Sequence, residues 1–166
     1  MLQKHLLNVL KKKRNNRSVS RSSKQKRKYS QKKKRHSHKI QVIIDADTKQ
    51  IVDIKVDING ARHDYNVYKR TKLHIHPNIK QQADSGYQGA QKVHTNTEIP
   101  HKKSKKNPLT KEKKQQNRQL AQKRIPIEHV NAKLKVFRIL KNHYRSHSRL
   151  GLRATLIAAF VNANAA

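Results

Sequence analysis

The sequence predicts an α/β domain in which a sheet of mixed strand directions is flanked by helices. Apolar residues concentrate at 40–58, 125–140 and 150–163, first with the period of two that is typical of strands and then at helical spacing. The patterns follow one another as two strands, a helix, two strands and several helices, an order typical of this class. We therefore expect one domain with a modest core.

A hairpin opens the predicted domain. Residues 40–45 are rich in β-branched side chains and predict a strand, and residues 47–50 are polar and predict a turn. Residues 51–58 alternate apolar and polar side chains, so we expect a hairpin with one face open to water. Upstream, the run Leu-Leu-Asn-Val-Leu at 6–10 predicts one further short strand.

The middle of the chain predicts a short helix at 64–72 and a strand at 79–84 that ends on Asp84. A brief strand at 98–100 leads into a lysine-rich loop at 101–107. The glycines that follow Asp84 are typical of a turn.

The last third of the chain predicts three helices. Thr110 can cap a helix that runs to Lys123. Pro126 would cost ~3 kcal/mol inside a helix but is favoured in a first turn, so we expect a break near Ile125. An apolar stripe at helical spacing follows, and residues 150–163 form a last apolar helix. The stripe consists of Ile127, Val130, Leu134, Phe137, Ile139 and Leu140.

The charge of the chain points to a polyanionic partner. Its 41 Lys and Arg against 9 Asp and Glu give a formal charge of +32, and nucleic acid is the partner expected for such a protein. The sequence has no cysteine, which excludes disulfides and cysteine-ligated zinc. Since no apolar run reaches the ~18 residues of a membrane span, we expect a cytoplasmic protein without membrane contact.

The basic N-terminal segment is expected to be a unit of its own. Residues 1–39 contain no acid, and much of this segment is Lys, Arg, Ser and Gln. It cannot bury enough surface to offset its chain entropy, so we expect it to be largely disordered, with a remnant first strand near 6–10. It is either a solvated basic tail or a DNA-contacting segment. The folded domain is expected at 40–166.

Two acids, Asp84 and Glu128, are candidates for catalysis and for metal binding. Mg²⁺ prefers oxygen ligands, and two such ions about 4 Å apart activate the attacking oxygen and neutralise the leaving oxygen at a phosphodiester. Convergent carboxylates in a phosphate-binding protein therefore favour a metal-dependent nuclease or strand-transfer enzyme. The alternative for an Asp in a turn is a side-chain cap.

Several segments, in this order, carry a family resemblance. They are Tyr29-Ser30-Gln31-Lys32-Lys33-Lys34-Arg35-His36, Asn59-Gly60-Ala61-Arg62-His63-Asp64, Asp84-Ser85-Gly86-Tyr87-Gln88-Gly89, Ile99-Pro100-His101-Lys102-Lys103, the spacing Arg124-x3-Glu128-x6-Lys135, and the stretch from Lys133 to Leu140 with Tyr144-Arg145. Together they resemble the D-D-E transposases of bacterial insertion sequences, particularly the insertion-sequence-five family.

The resemblance implies an RNase-H-like fold and metal-dependent cleavage and transfer of double-stranded DNA at transposon ends. Asp84 would be the second catalytic acid and Glu128 the third, with two Mg²⁺ (or Mn²⁺) ions in an intact member. A nucleoid-associated bacterial protein and a possible homodimer follow from the same likeness, and Asp64 would be structural or substrate-adjacent. The expected DNA contacts are Arg124, Lys135, Lys102, Lys103, Lys105, Lys106, Lys32, Lys33, Lys34 and Arg35. Without the resemblance, Arg124 and Lys135 are solvated helix cations, whereas the basic loop 101–106 is expected to meet phosphate through charge alone.

The most consequential departure from the family pattern lies at the N-terminus. The first catalytic Asp of the family ends its first strand, whereas this chain has no acid before Asp45 and places Asn8 at the equivalent position. We therefore expect a first strand that is incomplete or degraded, a chain truncated at its N-terminus, and impaired or absent cleavage. The alternatives are a non-enzymatic basic nucleic-acid-binding protein and a regulator that occupies the DNA of an active transposase.

Overall fold

The structure is a computed structural model that describes residues 4–13, 29–30, 35–57, 62–71, 75–104, 108–141 and 149–164; before His38, and at Asp57, it describes the backbone alone. Its strands are β1 (Lys4–Lys13), β2 (Tyr29–Ser30), β3 (Arg35–Asp45), β4 (Ile51–Asp57), β5 (Lys80–Ala83) and β6 (Thr97–Glu98). Its helices are α1 (Asp64–Thr71), α2 (Lys111–Lys123), α3 (Ile125–Val136), α4 (Arg138–Lys141) and α5 (Leu150–Ala163), with 3₁₀ turns at Ser85–Tyr87 and Ala90–Lys92.

The described strands form one mixed sheet with β1 near its centre. β1 is antiparallel to β3, from His5 opposite Asp45 to Lys13 opposite Ser37, and parallel to β5 on its other side. β4 is antiparallel to β3, and β6 is parallel to β5, so the strands lie in the order β4, β3, β1, β5, β6. The short β2 pairs with the start of β3. The predicted α/β class with mixed strand directions is confirmed.

The first strand is longer than the sequence predicted. β1 has ten residues rather than a remnant at 6–10, and β3 begins at Arg35 rather than near Ile40. The two extensions pair with each other in the antiparallel ladder, Lys11–Lys13 opposite Ser37–Lys39, although their side chains are mostly basic. Local composition alone misses this because the pairing joins segments more than twenty residues apart.

The alternating side chains of β3 pack on both faces of the sheet. Ile40, Val42 and Ile44 belong to a cluster formed with β4 and with the C-terminal helices, whereas Ile43 belongs to a second cluster on the opposite side. The expectation of one wet face is therefore wrong for β3 and holds only for β4, where Val52 is 53% exposed. The first cluster takes from the helices Ile127, Val130, Leu134, Leu140, Leu150, Ala154, Ala158 and Val161.

The second cluster lies beneath the 3₁₀ turns that follow β5. It unites Ile43 with Tyr68 of α1, with Ala83 at the end of β5 and with Tyr87 and Ala90 of the turns. Its aromatic centre is an edge-to-face pair of Tyr68 and Tyr87, whose ring centroids are 6.1 Å apart. The segment that carries Asp84 is therefore anchored in a core of its own.

The break between α2 and α3 falls where the sequence predicted it. The Thr110 hydroxyl accepts a hydrogen bond from the Lys113 N–H at 3.4 Å and caps α2, which ends at Lys123. α3 begins at Ile125 and places Pro126 in its first turn, where the missing N–H costs no hydrogen bond. Arg124, at the junction, is therefore fixed by both helices.

Candidate active site at the end of strand β5

Asp84 follows the last residue of β5 and caps the turn that comes next. Its Oδ1 accepts a hydrogen bond from the Ser85 N–H at 2.6 Å, and its carbonyl accepts one from the Tyr87 N–H at 2.9 Å. The side chain is nevertheless 46% exposed. Asp84 thus has the capping role that is usual for a turn Asp, and it also presents a carboxylate at the surface.

Arg124 is the cation that the fold brings to Asp84. Its Nη1 lies 3.5 Å from Asp84 Oδ1, at the long end of a charge-assisted hydrogen bond, and only 15% of its side chain is exposed. The contact joins residues 40 positions apart and seats the α2–α3 junction against the end of β5. Arg124 is therefore partly buried and paired, in contrast to a solvated helix cation.

Glu128 lies in the first turn of α3, four residues after Arg124. Residues at this spacing share a side of a helix, with β-carbons about 5–6 Å apart. The contact between Arg124 and Asp84 therefore brings the turn that carries Glu128 towards the end of β5. Glu128 is exposed and has interactions of its own with other groups. Lys135 is exposed two turns further along the same side of α3.

The backbone register places Asn8 beside Asp84. Leu7 of β1 pairs with Ala83 of β5 in the parallel ladder, so the next residues on the two strands are Asn8 and Asp84. Neighbouring strands lie about 4.8 Å apart, which puts these two backbone positions within one strand spacing. A neutral residue therefore occupies the position next to the exposed carboxylate.

Asp64, which the sequence left as structural or substrate-adjacent, lies directly against the Asp84 turn. A β-carbon added to Gly86 would be 2.6 Å from Asp64 Oδ2. The other carboxylate oxygen, Oδ1, is 2.5 Å from Nζ of Lys39, a buried residue of β3 that also donates to the Arg62 carbonyl. Asp64 thus links the central sheet and the start of α1 to the turn.

Tyr87 is a site residue for which the sequence analysis assigned no role. Its ring is buried, and its hydroxyl has no hydrogen-bond partner within the described part of the chain. Burial raises the pKa of Tyr87 well above 10, the negative charges of Asp64 and Asp84 raise it further, and Arg124 opposes the shift. The available signal was its place in the Asp84–Gly89 segment, where Tyr87 is the one large ring among small and polar residues.

The lysine-rich loop is held between the Asp84 turn and α2. Asn117 of α2 accepts a hydrogen bond from the His101 N–H at 2.8 Å and donates to the His101 carbonyl at 2.9 Å. On the other side, Gln88 Nε2 donates to the Pro100 carbonyl at 3.1 Å. Lys102 and Lys103 are exposed beside these anchors. Of the other expected DNA contacts, Lys105, Lys106 and Lys32, Lys33 and Lys34 lie outside the described residues, and Arg35 is described by its backbone.

The comparison with protein families decides the identity of the domain. The model of the DDE superfamily endonuclease family matches residues 15–165, which is nearly the whole chain. The chain belongs to the DDE superfamily of endonucleases. The resemblance inferred from the sequence motifs is thereby confirmed.

Two relatives of this DDE superfamily chain carry transposase names. It is 42% identical over 139 residues to a protein proposed as the transposase for insertion sequence element IS702 of Microchaete diplosiphon, covering 83% of this chain and 50% of that protein. It is 32% identical over 111 residues to a protein proposed as the transposase for insertion sequence element IS112 of Streptomyces albus G. That match covers 65% of this chain and 41% of the other protein. The chain thus spans about half the length of these relatives or less. No solved structure matches it significantly.

In the described part of this DDE superfamily domain, the donor atoms do not make up the divalent-metal site that such endonucleases generally use. Among the described residues, no three His, Cys, Asp or Glu side chains gather so that they could hold an ion. Both contacts of the Asp84 carboxylate involve Oδ1, and one of them is with a cation. Asn8 contributes an amide at best, which is a weaker ligand for Mg²⁺ than a carboxylate.

None of the helices in the ranges given above has the length and apolarity that a bilayer crossing requires.

Proposed function

We propose that this chain is the catalytic domain of a D-D-E transposase that binds transposon-end DNA and whose strand cleavage and transfer are impaired. The observation that carries the proposal is the register of β1 and β5, in which Asn8 lies beside Asp84. Asp84 and Glu128 are the second and third catalytic acids, and Asn8 takes the place of the first. Loss of one carboxylate weakens the hold on Mg²⁺ or Mn²⁺ that cleavage needs.

The strand order supports an RNase-H-like identity for the sheet. On one side of β1 lie β3 and then β4, each antiparallel to the strand before it, and on the other side lie β5 and β6, both parallel to β1. This is the arrangement expected of that fold. The catalytic domain then comprises residues 40–166, and the basic segment 1–39 supplies β1, β2 and the first residues of β3 to its sheet.

The cationic surface supports binding to duplex DNA. Lys102 and Lys103 are exposed beside the Asp84 turn, and Lys135 is exposed on the side of α3 that carries Glu128. The remaining expected contacts, at residues 32–35 and 105–106, extend this charge along the chain. Binding of this kind releases counterions, so it should weaken steeply as the salt concentration rises.

Binding and cleavage are tested separately on the full chain. We expect fluorescence anisotropy to show duplex binding that falls with salt, and a plasmid assay with Mg²⁺ or Mn²⁺ to show little nicking. The Asn8→Asp variant should nick measurably, and adding Asp84→Ala should abolish the gain. Asn66→Asp, the same chemical change at an exposed position of α1, is the control and should leave nicking unchanged.

The outcomes separate the proposal from its competitor. Efficient nicking by the unaltered chain, lost in Asp84→Ala, would overturn the impairment. A gain equal to that of Asn8→Asp in Asn66→Asp would overturn the role of position 8. Intact DNA binding with no nicking in any variant favours the second candidate, a non-enzymatic nucleic-acid-binding protein, which the charge of +32 also supports.

A further inference from the structure

The guanidinium of Arg124 lies beside the Asp84 carboxylate, on the side of its Oδ1. Its Nη1 is 3.5 Å from Asp84 Oδ1, and the Arg124 side chain is much less exposed than that of Asp84. The Nε of Arg124 is buried without a hydrogen-bond partner among the described residues. Because burial restrains the side chain and reduces solvent screening, its positive charge remains fixed beside the carboxylate.

Basic partners are a shared property of the described acids that lie beside β5. Asp64 is paired with the buried Lys39, and Glu98 with Lys80 at 2.5 Å between Nζ and Oε1. Asp84 has Arg124. An incoming divalent cation would therefore meet carboxylates whose charge is already neutralised by the protein itself.

We propose that Arg124 acts as a built-in substitute for the metal at Asp84 and competes with divalent cations for this carboxylate. The inference rests on the proposed function, because it takes Asp84 as a metal ligand of the intact family. An intact site opposes the guanidinium with three carboxylates, whereas here Asn8 removes one negative charge beside Asp84. Fewer carboxylates then offset the repulsion between Arg124 and a divalent cation. The ion pair of Arg124 with Asp84 is therefore favoured over binding of the cation to Asp84. Arg124 is in this sense a positioning residue that sets the metal affinity.

Titration of the full chain with Mn²⁺ alone, followed by isothermal calorimetry and by the electron paramagnetic resonance of free Mn²⁺, tests the competition without an activity readout. We expect Arg124→Gln to bind Mn²⁺ about tenfold or more tightly than the unaltered chain, since a close charge changes such equilibria by one to three powers of ten. Arg124→Lys keeps the charge and should stay near the unaltered affinity. Circular dichroism checks that each variant is folded.

Lys123→Gln is the matched control. It removes the same charge from the neighbouring residue, and the charge of Lys123 acts on Glu98. Its Mn²⁺ affinity should change less than about twofold, as expected of a screened surface charge. No gain in Arg124→Gln, or an equal gain in Lys123→Gln, overturns the proposal.

Two further variants separate this inference from the proposed function. If Asn8→Asp gains Mn²⁺ affinity and Arg124→Gln does not, the proposed site stands and the competition by Arg124 is refuted. If Arg124→Gln gains affinity that Asp84→Ala removes, while Asn8→Asp gains none, the competition stands and the assignment of position 8 fails.

Discussion

The carboxylate of Asp64 leaves no room for a side chain on Gly86, because a β-carbon there would be 2.6 Å from Asp64 Oδ2. The need for glycine is one of space, since the backbone of Gly86 is not among those with positive φ. We expect Gly86→Ala to push Asp64 from its position and to lower the free energy of unfolding by about 1–3 kcal/mol, as overpacking does. Urea denaturation measures the loss.

Gly151 provides the control for this substitution. It lies in α5, and an added β-carbon would meet no atom within 4 Å. Gly151→Ala should therefore be neutral or raise the free energy of unfolding by up to ~1 kcal/mol, because alanine favours the helix. A loss of stability in Gly151→Ala as large as that in Gly86→Ala would contradict the steric explanation.

Removing one partner of the ion pair of Lys39 and Asp64 is expected to destabilise the fold more than removing both. The Lys39 side chain is only 6% exposed, so Asp64→Asn leaves a buried ammonium without its counter-charge. We expect a loss of about 3–5 kcal/mol in the free energy of unfolding. The double variant Lys39→Met, Asp64→Asn should recover much of it, because the unpaired charge is removed as well.

The pair of Lys55 and Asp53 shows what an exposed interaction is worth by comparison. Its atoms are 3.4 Å apart, and Lys55 is exposed. Lys55→Met should cost at most about 1 kcal/mol in the same measurement. If Asp64→Asn costs no more than Lys55→Met, the pair beneath the turn is not a structural element of the site.

Local signals predicted the elements that depend on neighbours in sequence. The cap at Thr110, the break at Pro126 and the strand that comes directly before Asp84 are all decided within a few residues. β1 was missed in length because its basic half is ordered only by pairing with β3. Composition cannot reveal such a partner. It therefore predicted that chain entropy would keep the basic segment largely disordered.

The sequence predicted the acids of the candidate site but missed the contacts that hold them in place. The motifs singled out Asp84, Glu128 and Arg124, but the contact of Arg124 with Asp84 spans 40 positions. The sequence did not indicate a structural role for Lys39, because a lysine within a basic run cannot be distinguished from its neighbours until the fold buries it. Whether a cation is solvated or paired is decided by tertiary structure.

The side chain of Asn162 in α5 forms hydrogen bonds with both the backbone N–H and the backbone C=O of Ile51 in β4. Its Oδ1 accepts from the Ile51 N–H at 2.8 Å, and its Nδ2 donates to the Ile51 carbonyl at 2.9 Å. We expect Asn162→Ala to lower the free energy of unfolding by about 1–3 kcal/mol, because both groups of Ile51 lose a partner. Thermal or urea unfolding measures it.

Asn164→Ala is the comparison two residues further on. The Asn164 amide is exposed and donates to the Phe160 carbonyl of its own helix at 2.7 Å. Its removal should stay within ~0.5 kcal/mol, the usual range for surface substitutions. Equal losses at the two positions would show that Asn162 does not hold α5 to the sheet.

Glu98 should make stability depend on pH in the acid range. Burial by itself would raise the pKa of Glu98, but hydrogen bonds from Lys80 and Gln82, and the charges of Lys80 and Lys123, hold it below its ordinary value of 4.5. A lowered pKa stabilises the folded state fully above pH 4.5, and this contribution is lost as the pH falls through the folded-state pKa.

The measurement is the difference in unfolding free energy between the unaltered chain and Glu98→Gln. It should favour the unaltered chain above pH 4.5 and shrink towards lower pH. In a Lys80→Met background the difference should depend much less on pH, because the strongest partner of the carboxylate is gone. A pH dependence that is unchanged in that background would rule out the pair as its cause.

Tyr87 should have the opposite effect at high pH. Burial keeps its pKa well above 10, so the folded state holds a proton that the unfolded state releases above pH 10. Stability is then lost as the pH rises beyond 10, and the tyrosinate absorbance of Tyr87 should appear only with unfolding.

Because the Tyr87 hydroxyl has no partner among the described residues, Tyr87→Phe should change the free energy of unfolding by less than about 1 kcal/mol near pH 7 and should reduce the alkaline loss. Tyr68→Phe removes a hydroxyl that donates to Gln81 Oε1 at 2.9 Å, so it should be the more damaging change of the two at neutral pH. The reverse order would mean that the hydroxyl of Tyr87 is bound to a partner in solution, and the Asp84 turn would then be held by a contact other than packing.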